Sequence, residues 1–195
     1  MLMKSIAIFC GSGDGVISLY KEQAFQIGQL LAQKGIEVIY GGARIGLMGA
    51  VADGALSQNG IVRGVIPEFL SSKEVAHDGL TELTITQTMH ERKLKMHQLS
   101  DGIITLPGGW GTMEELFEML TWAQLGLHHN PIGILNTNGY YDSLMALVDT
   151  MIDNGFLKPQ YSDMLICSDD IETLLEKMEH YQAVIVPSLL TEKTI

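Results

Sequence analysis

Only two cysteines occur in the 195 residues, Cys10 and Cys167, and neither has a second cysteine or a histidine at metal-ligand spacing. That removes zinc-ribbon and disulfide-framework architectures and leaves both thiols as small, reduced core hydrophobes. Positive charge is scarce as well. Twelve Lys and Arg stand against 23 Asp and Glu, a net charge of -11, so most of the surface repels a nucleic-acid backbone. No apolar run approaches the ~20 residues that a bilayer-spanning helix needs. The opening Met1 to Gly13 carries one lysine, Lys4, and ends in glycines, which reads as a first strand and not as a signal peptide. A cytoplasmic protein without a nucleic-acid or membrane partner is expected. The sequence also lacks G-x-x-x-x-G-K-[ST], so a P-loop with its Mg²⁺ has no support, and neither a metal nor a cofactor is expected. Its first glycine loop does not meet G-x-G-x-x-G, and the second apolar run ends in Tyr40-Gly41 with no acid for a ribose hydroxyl. Both departures disfavour a nicotinamide dinucleotide. Internal repeats and low-complexity tracts are absent too.

What is present is alternation. Short β-branched runs recur at 6–10, 36–40, 61–66, 83–87, 102–106, 131–135 and 164–167. Between them lie helical patterns at about 18–34, 46–59, 89–99, 112–126, 140–154 and 170–180. Strands alternating with helices predict an α/β, Rossmann-like three-layer fold: a mostly parallel sheet of about six or seven strands with helices on both faces. With 46% hydrophobic residues, the length suits one domain, placed at 1–181 with a tail at 182–195. The stretch from Pro67 to Thr81 is the longest irregular one.

In such a sheet, ligands bind beyond the carboxyl ends of the strands. Three of the loops there are glycine-rich: Gly11 to Gly15, Gly41 to Gly49 and Pro107 to Thr112. Glycines in these turns also serve close packing, but three together form a cradle of backbone N–H groups and helix N-termini that favours phosphate.

Two segments carry charge into this setting. In Met89-His90-Glu91-Arg92-Lys93-Leu94-Lys95-Met96-His97, helical spacing puts Met89, Arg92, Met96 and Leu99 on one stripe. Arg92 therefore either meets an anion in the core or snorkels to solvent. In Pro107-Gly108-Gly109-Trp110-Gly111-Thr112-Met113-Glu114-Glu115, Thr112 and Glu115 have capping-box spacing at the start of a helix. The other reading makes Glu115 a catalytic carboxylate, since a carboxylate beside a phosphate loop must face another part of the ligand, such as the sugar.

These motifs, with Gly41-Gly42-Ala43-Arg44-Ile45-Gly46-Leu47-Met48-Gly49 upstream and Thr121-Trp122-Ala123-Gln124-Leu125-Gly126 downstream, resemble the Lonely Guy family of cytokinin-activating phosphoribohydrolases from about Ile6 to Leu157. The resemblance implies a dimeric Rossmann-like hydrolase that releases a free base and ribose 5-phosphate from a nucleoside 5′-monophosphate, AMP or a cytokinin nucleotide. It implies Arg92 and Glu115 as catalytic residues. It places Glu74, Arg92, Lys93, Gly109, Trp110, Gly111, Thr112, Met113, Glu114, Glu115 and Thr121 along the nucleotide, and matches Ser12, Gly42, Gly46 and Gly49 to phosphate-contacting loop positions. A nucleotide- or cofactor-binding protein without chemistry is the rival reading. Family members have also been labelled lysine decarboxylases, a chemistry that needs a pyridoxal Schiff-base lysine.

Overall fold

The structure, a computed structural model, describes residues 3–71 and 76–186. It opens with β1 (Ser5–Phe9), α1 (Ser18–Gln33), β2 (Glu37–Tyr40), α2 (Gly46–Ser57), β3 (Val62–Pro67), the short α3 (Glu68–Ser71) and β4 (Glu82–Thr86). There follow α4 (Met89–Gln98), β5 (Gly102–Thr105), α5 (Trp110–Gln124), β6 (Ile132–Leu135), α6 (Asp142–Asp153), the short α7 (Pro159–Ser162), β7 (Leu165–Ser168) and α8 (Ile171–Glu179). The expected strands and long helices are present with ends shifted by one or two residues. The single turns α3 and α7 carry too little periodic pattern to be read from sequence.

All seven strands pair in parallel, in the order β4-β3-β2-β1-β5-β6-β7. The chain winds outward from β1 to β4 and then returns to β5, so the winding reverses between β1 and β5. Ile6 stands in register with Val38 of β2 on one side and Gly102 of β5 on the other. A cleft opens at the carboxyl ends of such a pair because the two following loops leave toward opposite faces.

Pleating sorts the core. Ile6 and Ile8 of β1 join Val38, Tyr40 and Ile104 under α1, α2 and α8, while Ala7 and Phe9 face Met96 of α4, Leu116 and Met119 of α5, and Val148 of α6. Strands buried on both faces explain why the runs read as continuously apolar. The irregular stretch after Pro67 contains α3, then an antiparallel bridge from Ala76 to Ala43.

A buried histidine closes the far end of α5. His128 is 8% exposed; one ring nitrogen, Nε2, lies 2.9 Å from the Met119 carbonyl, and the other, Nδ1, accepts from the Asn130 amide at 3.2 Å. An acceptor role for Nδ1 requires the neutral ring with its proton on Nε2. Burial pushes its pKa down to about 4. The unfolded ring takes a proton near 6.5 while the folded ring stays neutral, so lowering the pH from about 6.5 to about 4 favours the unfolded chain, by about 3 kcal/mol at most from this group. Urea melts at pH 7 and pH 5 should show this loss, and His128→Gln should flatten the pH dependence even though it lowers stability at pH 7.

Candidate functional site

Arg92 and Glu115 come from different helices and meet at the carboxyl edge of the sheet. Thr88 caps α4 through a hydroxyl that accepts from the Glu91 amide at 3.1 Å, and the Glu91 carboxylate accepts from the Gln87 amide at 2.8 Å. This is a capping box whose return bond is displaced by one residue, to the amide that precedes the N-cap. It fixes the first turn of α4 and aims Arg92 across the strand ends. There Arg92 Nε donates to the Val65 carbonyl of β3 at 3.1 Å, and Nη1 lies 2.5 Å from Glu115 Oε1. A Cβ on Gly41, the residue after β2, would meet Arg92 Nη2, so glycine there leaves room for the guanidinium in this position. Arg92 and Glu115 are 8% and 6% exposed. The arginine is thus paired in the interior and does not snorkel.

The capping box expected at Thr112 and Glu115 is not formed. α5 begins two residues before the expected start, with Gly109 and not Thr112 as its N-cap and no side-chain cap, so Thr112 is already in the third helical position and buried. Glycines at 108, 109 and 111 allow that early start, which leaves Glu115 one turn inside the helix, facing Arg92. Burial raises the Glu115 pKa above the ordinary carboxylate range, against the lowering effect of Arg92. A carboxyl of this kind exchanges its proton nearer neutrality than an exposed glutamate does.

Lys93 lies beside the pair but faces the other way. It is 3% exposed, forms an ion pair with Glu114, and reaches Glu118 at 3.0 Å. Burial alone would lower its pKa, but the hydrogen bonds and charges of the two glutamates outweigh that and hold the ammonium protonated. A lysine so held is a poor Schiff-base nucleophile. Among the described residues, no group of three or more His, Cys, Asp and Glu side chains is arranged to hold a metal ion.

The pair floors the first of two adjoining cavities that together make a cleft. The first, of about 240 Å³, is lined by Ile8, Cys10, Gly11, Ser12, Gly41, Met48, Leu70, Met89, Arg92, Gly109, Trp110, Gly111, Thr112, Glu114 and Glu115. The other, of about 360 Å³, shares Gly11, Ser12 and Gly109 with it and continues over Gly13 to Gly15, Tyr20, Leu47, Pro107, Gly108 and Tyr140. A larger hollow of about 700 Å³ lies between the β1–α1 loop and helices α1 and α2, lined by Val16, Phe25 and Asp53 among others, with no buried charged pair. Of the three, only the smallest contains the buried charged pair.

Of the residues singled out from sequence, Ser12, Arg92, Gly109, Trp110, Gly111, Thr112, Glu114 and Glu115 come together in this cleft. Trp110 is 93% exposed at its rim. The others lie elsewhere. Gly42 faces Ile66 and Leu83 with φ of +80°. Gly46 abuts the Ser12 backbone, where a Cβ would run into the carbonyl, and Gly49 abuts Arg44. These three hold the α2 loop against its neighbours. The amides of Leu47 and Gly49 are spent on the Gly11 and Ile45 carbonyls, so the start of α2 is partly closed by the protein itself. Met113 is half-buried in the core beneath α5. Thr121 is exposed and donates to the Phe117 carbonyl, away from the cleft. Glu74 lies outside the described residues. Cys10, read as a core thiol, is buried and free, but it also floors the cleft, where burial and the Glu115 charge push its pKa up. Its place at the end of β1 was the available signal.

A protein-family model described as "Possible lysine decarboxylase" matches residues 48–178. "Probable cytokinin riboside 5′-monophosphate phosphoribohydrolase LOGL1" of Oryza sativa subsp. japonica is 46% identical over 176 residues, 90% of this chain and 79% of that one. "Cytokinin riboside 5′-monophosphate phosphoribohydrolase LOG7" of Arabidopsis thaliana is 40% identical over 179 residues, 92% of this chain and 82% of that one. Among solved structures, the molybdenum cofactor binding protein from Rippkaea orientalis superposes with a TM-score of 0.68 at 21% identity, covering 92% of this chain and 98% of that one. At that identity the likeness is one of fold.

Proposed function

The chain belongs to the cytokinin riboside 5′-monophosphate phosphoribohydrolase family, and from that premise we propose that it hydrolyses the N-glycosidic bond of purine nucleoside 5′-monophosphates to free base and ribose 5-phosphate. The buried Arg92–Glu115 pair, set in the floor of a cleft rimmed by a helix N-terminus, carries the proposal.

The Trp110, Gly111 and Thr112 amides precede the first intrahelical bond of α5, which Met113 donates to Gly109. Unsatisfied amides at the positive end of a helix suit a phosphate. The 5′-phosphate sits there and against Gly11 to Gly13, with the ribose above Glu115. As the bond from C1′ to the base nitrogen breaks, positive charge develops on the sugar and the Glu115 carboxylate stabilises it. The base leaves with the bonding electron pair; water adds to C1′ and gives up a proton, for which the raised-pKa carboxylate is a suitable acceptor, and passage of that proton to the departed base gives the neutral purine and restores the carboxylate. The Arg92 guanidinium opposes the effect of burial and favours the ionised form of Glu115 that both steps use. The lysine decarboxylase description of the family model does not fit Lys93, which the two glutamates hold protonated.

AMP and isopentenyladenosine 5′-monophosphate are the proposed substrates, and their kcat/KM ratio reads how the apolar wall of Met48, Leu70 and Met89 treats the base substituent. A preference for the isopentenyl nucleotide is expected, and equal or better use of AMP would contradict the assignment of that wall. The working form is a homodimer in the cytoplasm. Free thiols at Cys10 and Cys167 suit a reducing compartment. The half-exposed Leu94 on α4, Phe117 on α5 and Leu125 just after α5 suit a partner surface, and light scattering should give about twice 21.4 kDa. No helix among the described residues is long and apolar enough to cross a membrane.

A further inference from the structure

We infer that Tyr140 is a positioning residue that orients the phosphate-binding turn between β5 and α5, an inference that rests on the nucleotide reading of the cleft.

Three successive carbonyls leave β5, and each has a fixed partner outside the turn. The Leu106 carbonyl accepts from the Tyr141 hydroxyl at 2.7 Å, the Pro107 carbonyl from the Gly11 amide at 3.0 Å, and the Gly108 carbonyl from the Tyr140 hydroxyl at 2.6 Å. In a trans peptide the C=O and the following N–H point in opposite directions. Holding the Gly108 carbonyl therefore aims the Gly109 N–H away from Tyr140, and Gly109 lines both cavities of the cleft. Glycines at 108 and 109 give the turn no stiffness of their own. Its orientation must be imposed from outside, and the two tyrosines and the Gly11 amide are what impose it.

The tyrosines are delivered by a built turn. After β6, Asn136 accepts from the Tyr141 amide at 2.6 Å through Oδ1 and donates to Asp142 at 2.7 Å through Nδ2. Asn138 and Gly139 take left-handed φ of +54° and +69° between them. Tyr141 is buried, and burial raises its pKa, so its hydroxyl stays a donor. Tyr140 is half-exposed, lines the glycine-rich cavity and packs edge-on against Tyr20 and Tyr141, with centroids 5.9 Å and 4.9 Å away. Those ring contacts survive the loss of the hydroxyl.

Tyr140→Phe isolates the hydroxyl. Losing one such hydrogen bond should weaken ribose 5-phosphate binding, measured by titration calorimetry, roughly three- to ten-fold, and raise the KM of the nucleotide by the same factor. Adenine affinity should stay at the wild-type value, and the thermal midpoint should fall by no more than a few degrees. Unchanged ribose 5-phosphate affinity would overturn the inference. Equal weakening of ribose 5-phosphate and adenine would overturn it too, because it means general loosening. Wild-type protein that does not bind ribose 5-phosphate would leave the turn no phosphate to position, and that result overturns the inference as well. The titration needs no turnover, so absence of base release bears on the hydrolase reading and leaves this result legible.

Discussion

Glu115→Gln should lower base release by about three orders of magnitude while AMP still binds within a few-fold of the wild-type affinity. The substitution keeps the shape of the side chain and an acceptor for Arg92, but removes the negative charge and the proton acceptor. Both are needed only as the sugar becomes cationic and water is deprotonated, so the loss falls on kcat. Since the buried Arg92 loses its counter-charge, the variant should also be less stable, by about 1–3 kcal/mol. Single-turnover assays alongside calorimetry with AMP separate the two effects. Turnover within ten-fold of wild type would remove Glu115 from the chemistry.

Arg92→Gln should produce the second largest effect, with a pH signature. Burial raises the Glu115 pKa and Arg92 opposes it. With the cation gone the opposing influence disappears, and the Glu115 pKa climbs further. If the carboxylate is the working form, activity falls as pH drops through that pKa, so the acid limb of the kcat profile must move to higher pH in the variant. An uncompensated buried carboxylate should also cost about 3–5 kcal/mol of stability near neutral pH. That cost should ease at lower pH, where the carboxyl is neutral. Arg92→Lys keeps the charge but cannot reach the Val65 carbonyl and Glu115 in one planar fork, and should fall between Gln and wild type. An acid limb that stays in place in Arg92→Gln would show that Arg92 does not tune Glu115.

Most of the sheet is legible in the chain because its signal is local. A parallel strand buried on both faces is continuously apolar, and Ile6 to Phe9, Ile103 to Ile104 and Ile132 to Leu135 show it. The site is legible to the extent that it follows from helical spacing. Arg92 on a core-facing stripe needs an anion, and the structure supplies Glu115. The cap that does not form shows where local rules stop. Thr88-x-x-Glu91 and Thr112-x-x-Glu115 have the same spacing, but only the first sits where a helix begins. Gly108, Gly109 and Gly111 let α5 start early, and a tertiary partner then claims Glu115. Gly42, Gly46 and Gly49 match phosphate-contacting positions in sequence, yet what they meet is backbone and apolar side chains brought in by the fold. The hydrogen bond from Tyr140 to Gly108 spans 32 residues of chain, and no spacing rule announces it.

The most direct test is to incubate the purified protein with AMP or isopentenyladenosine 5′-monophosphate and to quantify free base and ribose 5-phosphate by chromatography. Equimolar release of the two products, abolished in Glu115→Gln, is the predicted result. Nucleotide that binds and is recovered intact would contradict the account and leave a protein that uses the same cleft to hold a ligand without cleaving it.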